Sequence, residues 1–185
     1  MHSRWKNALL GATALLLIGA GNARAQVGLL SNAATVALTA TKAPSLSVTP
    51  TASVATLASI ADGTNVNNFG PVSLITAWNL TAGSSVRLIG WFTTPAQALA
   101  NGTDYIPSSK IEGRVGAAAY APFTGSAVGA VGVAGGSLQL FSQSVAAGTR
   151  FGTRTDQLDL RLDLTGVNTL AGDYTGTLNL QAVVQ

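Results

Sequence analysis

This sequence has no cysteine and a single histidine, His2, so it cannot form a disulfide, and a Cys-His pair or a cluster of His and Cys metal ligands is excluded from the outset. Charged residues make up 9% of the chain and aromatic residues 6%, which leaves little material for a basic nucleic-acid-binding face. Long apolar runs are also missing. The longest stretch of this kind, Ala8 to Ala20, has 13 residues, short of the roughly 20 that a membrane-spanning helix needs.

The short apolar run is itself informative. It follows Arg4 and Lys6 and precedes Ala23-Arg24-Ala25, whose alanines put small side chains at the positions a signal peptidase reads. Residues 1–25 are therefore expected to be a cleavable signal peptide, cut before Gln26, with export to the periplasm, the cell surface or the medium and no membrane span after cleavage. Cleavage would remove His2 and three of the ten basic residues, Arg4, Lys6 and Arg24. Seven basic residues would then face seven acidic ones, so the precursor's basic character belongs to its leader. The neutral remainder argues against nucleic acid as a partner and suits a subunit that associates with others.

About 160 residues would remain, the size of one domain able to bury a core without disulfides or metals. Their pattern is that of strands: short alternating runs between Gly, Pro, Asn and Asp punctuation. Thr35 to Thr41 alternates, Pro44 interrupts, and Ser45 to Thr49 resumes. Val72 to Leu80 and Ser85 to Phe92, joined through Thr81-Ala82-Gly83-Ser84, predict a hairpin carrying Trp78, Trp91 and Phe92, aromatics expected to anchor a core. Pro95 to Ala100 predicts one helical turn before the turn dipeptide Asn101-Gly102. The Ala/Gly-rich tract from Gly113 to Gly136 predicts loops and thin strands that bury little area. Ser137 to Val145 again reads as a strand.

The clearest alternation is Leu158 to Leu164, with leucines at 158, 160, 162 and 164 on one face and Asp159, Arg161 and Asp163 on the other, a strand with one dry and one wet side. Tyr174 to Val184 follows as a last strand, with Leu178, Leu180, Ala182 and Val184 in phase. Gly172-Asp173-Tyr174 at its entrance is similar to the tyrosine corner of immunoglobulin-like sandwiches, in which the phenol bonds back to the preceding connection. The fold expected is all-β, an antiparallel sandwich.

Little of this points to catalysis. Once His2 is gone no Ser-His-Asp arrangement can form. The carboxylates Asp156, Asp159 and Asp163 are read as the charged face of a strand rather than as a glycosidase pair. No calcium loop and no phosphate-binding loop occurs, and the triplets Asn79-Leu-Thr and Asn101-Gly-Thr match only the short glycosylation sequon. No enzymatic activity, metal or cofactor is expected.

Two segments, 36–48 and 171–184, together resemble the two ends of chaperone-usher pilins, especially the cysteine-free colonisation-factor type, and the second is similar to the last strand of spore coat U-like secreted pilin domains. Gly172 stands fourteenth from the end, where many members of the family keep a glycine, whereas the penultimate residue is Val184 where many carry an aromatic. The resemblance implies an immunoglobulin-like sandwich that lacks one strand. A periplasmic chaperone fills the gap first and, at an outer-membrane usher, the N-terminal extension of another subunit replaces it. It divides the chain into a signal peptide (1–25), an extension or first strand (26–41) and a sandwich domain (42–185). Val36, Leu38 and Ala40 become the donor side chains, and Gly172, Tyr174, Leu178, Leu180, Ala182 and Val184 the border of the acceptor groove. The implied function is that of a structural subunit of a fimbrium or surface matrix. The alternative is a self-complete secreted sandwich that binds a glycan or a surface protein through Trp78, Trp91 or Tyr105.

Overall fold

The computed structural model describes residues 37–52, 55–57, 60 and 65–185. The expected signal peptide and Val36 lie outside the described residues. The chain divides into two compact units, Met1–Thr41 and Lys42–Gln185. Of the first, residues 37–41 are described, and they have no regular secondary structure and exposed side chains.

The second unit is built of antiparallel strands, as the alternation predicts. The larger sheet contains β1 (Ser45–Pro50), β2 (Val66–Asn68), β3 (Val72–Asn79), β7 (Ile111–Val115), β8 (Ala121–Pro122) and β10 (Phe151–Asp163), in the order β1-β3-β10-β7-β8 with β2 also on β10. The smaller sheet is β11 (Asn179–Val184), β4 (Ser85–Trp91) and β9 (Ser137–Ser144), in the order β11-β4-β9. The strands β5 (Leu99–Asn101) and β6 (Asp104–Ile106) form a separate hairpin closed at Asn101-Gly102, and a 3-10 turn at Pro95–Gln97 precedes it.

The two sheets enclose one apolar core. β10 contributes Leu158, Leu160 and Leu162, 1%, 7% and 0% exposed, because its alternation turns every second side chain inward. Their neighbours face the other way and are paired. Asp159 meets Arg114 at 3.1 Å, Arg161 meets Glu112, and both guanidinium groups lie over the Tyr120 ring, at 4.3 and 4.2 Å. These part-exposed pairs order the surface of β7 and β10, each contributing at most about 1 kcal/mol.

Three expectations are corrected. The segments Val72 to Leu80 and Ser85 to Phe92 form no hairpin: β3 pairs with β1 and β10, whereas β4 pairs with β11 and β9. The connection Thr81 to Ser84 carries the chain from one sheet to the other, so Leu74 and Trp78 of β3 and Val86 and Leu88 of β4 enter the same core from different sheets. Alternation makes a strand amphipathic without deciding whether its apolar face packs beside or opposite its sequence neighbour's. Second, residues 37–41 form no strand, and β1 starts at Ser45, where pairing with β3 begins. Third, the last strand starts at Asn179 rather than Tyr174, because residues 170–178 are drawn onto the β5–β6 hairpin instead of running along β4.

The Ala/Gly tract does form short strands and turns, but it also supplies a central core residue. Phe123 is fully buried and meets Phe92 edge to face, with ring centroids 5.2 Å apart and an interplanar angle of 81°. Glycines at 90 and 113 make room for that ring, since a Cβ at either would stand 3.0 or 3.1 Å from it. Among the expected aromatic anchors, Trp78 is buried and donates its indole N–H to the Thr149 carbonyl at 3.0 Å, while Trp91 is half-buried.

Candidate strand acceptor groove

Strand β11 borders its sheet on one side only: β4 takes up one row of its backbone groups, and no other described strand pairs with it. A bare edge is a template for another strand, and proteins usually guard such edges with charge or proline. The β11 sequence Asn-Leu-Gln-Ala-Val-Val contains neither. Close beside it runs β1, the outermost strand of the larger sheet.

Two cavities open at the two ends of this edge. The larger, about 630 Å³, has the inward leucines 158, 160 and 162 of β10 as its floor. Leu178, Leu180 and the strap Gly172–Thr177 form one wall, and the connection after Pro50 forms the other through Ala55, Leu57 and Ile60. The smaller, about 370 Å³, lies where Pro44 and Leu46 approach Leu80 and Val184. Both are open to solvent, and the larger falls in the size range of ligand clefts, roughly 300–1,000 Å³.

The candidate acceptor residues divide between these features. Gly172, Tyr174, Leu178 and Leu180 border the large cavity, Val184 borders the small one and is 42% exposed, and Ala182 is buried in the core and lines neither. Of the candidate donor residues, Leu38 is 92% exposed and Ala40 is exposed. Two parts of the site were not singled out in the sequence. The wall at Ala55, Leu57 and Ile60 has only scattered apolar residues to signal it, and the alternation of the β10 leucines reads as core alone.

A third unforeseen part holds the strap in place. The Asp104 carboxylate, on β6, accepts the Leu170 N–H at 2.9 Å and the Tyr174 hydroxyl. That hydroxyl also lies 3.0 Å from the Leu170 carbonyl, the reach back to the preceding connection that a tyrosine corner makes. Thr175 exchanges two backbone bonds with Ala100 of β5, at 2.9 and 3.0 Å, and the Asn101 side-chain amide approaches the Ala171 carbonyl at 3.4 Å. The fit is close: a Cβ at Gly176 would stand 2.0 Å from the Ala98 carbonyl oxygen.

The Tyr174 hydroxyl, and then the Leu170 N–H, hold the Asp104 carboxyl below its ordinary value of 3.8. Partial removal from water, and then the bond to Asp104, push the Tyr174 phenol above its ordinary 10.0. A carboxylate depressed by folding stabilises the native state above its unfolded pKa and ceases to do so as pH falls through the folded value. The tethered strap is therefore expected to persist from neutral pH down to about 4 and to loosen below it. Following the Leu170 amide proton shift by NMR should give a titration midpoint below 3.8, and Asp104→Asn should abolish that titration. A midpoint at or above 3.8 would contradict the tether.

Compared with known proteins, the chain matches no family model and no curated protein.

Proposed function

We propose that this protein is an exported structural subunit that assembles into a fimbrium-like fibre or surface matrix by strand addition, with no catalytic role. The observation that carries the reading is the outer edge of β11, which no other described strand pairs with, together with the cleft that Leu158, Leu160, Leu178 and Leu180 line at its start. Added there, a strand would use the free backbone groups of β11 for affinity and send alternate side chains into the cavities for register. The segment at 36–40, Val-Ala-Leu-Thr-Ala, has that alternation, and its described part has no strand partner and exposed side chains. In this reading the sandwich is immunoglobulin-like with one strand supplied in trans, and a periplasmic chaperone and an outer-membrane usher handle it before assembly.

The glycan-binding alternative draws less support. Stacking on sugars requires accessible rings, yet Trp78 is buried and Trp91 half-buried, leaving Tyr105, 40% exposed, as the accessible one of the three.

Light scattering coupled to size-exclusion chromatography tests the proposal on the chain starting at Gln26 and on the same chain lacking residues 26–41. The longer protein should form fibres or ladders, visible by negative-stain microscopy, and the shorter one should remain a monomer. Equal assembly of the two would refute donor-strand exchange through this segment.

A further inference from the structure

We propose that Asp104, which lies outside the cavity, is the positioning residue of the groove: by gathering Leu170 and Tyr174 onto the β5–β6 hairpin it fixes the wall against which an incoming strand packs. The inference rests on the strand-acceptor reading given above. Residues 170–178 contain no regular strand, yet Gly172 through Leu178 form one side of the large cavity. Tyr174 and Leu178 pack against the core, and the hairpin holds the backbone between Leu170 and Thr175 at three points. Ala100 holds Thr175 by a reciprocal backbone pair, and Asn101 reaches Ala171. Asp104 receives two donors four residues apart.

Of the three, the carboxylate is the strongest single tether, because hydrogen bonds to an ionised acceptor are roughly twice as strong as neutral ones. It also shapes the strap, since bonds from positions 170 and 174 to one oxygen close that stretch into a loop and turn the next residues toward Leu178 and Leu180. Both donors sit near the surface, where water can replace the carboxylate. Removing the side chain therefore leaves no buried unpaired group, and the variants should fold.

The test uses the full chain carrying Leu38→Asp, which keeps its own donor segment from competing, and a synthetic peptide spanning residues 33–42. Against that background Asp104→Ala should weaken peptide uptake about tenfold, chiefly through faster dissociation. Asp104→Asn, which keeps an acceptor oxygen, should recover part of the loss. Tyr174→Phe should weaken uptake by itself and add less than its full effect on top of Asp104→Ala, because the two share one bond. Without peptide, hydrogen exchange at the Leu170 and Thr175 amides should accelerate in Asp104→Ala while the strands of β10 keep their protection. Unchanged uptake and unchanged exchange in Asp104→Ala would overturn the positioning role and leave the acceptor reading standing. No uptake by the Leu38→Asp background would overturn the acceptor reading and this inference with it.

Discussion

Replacing Leu38 with aspartate in the chain starting at Gln26 is expected to abolish assembly while leaving the fold of the sandwich unit intact. Leu38 is 92% exposed, so the substitution removes nothing from the folded unit and even relieves an exposed apolar side chain. Its cost arises only on assembly. In the alternating segment the residue at 38 is the middle one of the three that would enter a neighbour's groove, whose floor is Leu158, Leu160 and Leu162. A carboxylate there would lose its water without gaining a cation. The penalty is about 3 kcal/mol or more, a loss of over a hundredfold in affinity at each junction of a polymer. Light scattering and negative-stain microscopy should find monomer under conditions in which the unsubstituted chain forms fibres. Leu38→Ile, which conserves volume and apolarity, should assemble normally. Fibres formed by Leu38→Asp as readily as by the parent chain would remove this segment from the assembly mechanism.

Phe123→Ala is expected to lower stability by about 3–5 kcal/mol, measured by chemical denaturation. The ring is fully buried, packs edge to face on Phe92, and is flanked by the backbone at Gly90 and Gly113, one from each sheet. Deleting it opens a void between two sheets whose backbones, held by their own ladders, cannot close in to fill it. The edge-to-face contact with Phe92 is lost as well, a further fraction of the same figure. Phe123→Leu should cost less, since it keeps most of the apolar volume. A loss below about 1 kcal/mol for Phe123→Ala would mean that the tract around residue 123 does not close the core.

The importance of Phe123 could not be read from its surroundings in the chain. Ala and Gly predominate between residues 113 and 136, and side chains that small bury little area, so the tract reads as loops and thin strands. What makes it central is that glycines at 90 and 113, one on each sheet, leave space at one point for one large ring. The same holds for Asp104. Beside Asn101-Gly102 it reads as an ordinary turn residue, and its role comes from the approach of Leu170 and Tyr174, some seventy positions away.

Local chemistry did determine several things about this protein. The alternation of Leu158 to Leu164 decided which side chains of β10 are dry, because successive residues of a strand point to opposite faces whatever the strand pairs with. Glycine, proline and asparagine marked where strands stop, and the absence of cysteine excluded disulfides. Which strand lies beside which was left to the tertiary structure. The 72–92 stretch satisfies a hairpin and a crossing between sheets equally well at the level of pattern, and only the competition of β10, β1, β9 and β11 for its two strands chose the crossing. The groove belongs to the same category. A cleft is a property of surfaces that fail to meet, and no residue along the chain records that β1 and β11 end up as neighbouring edges with a cleft at either end.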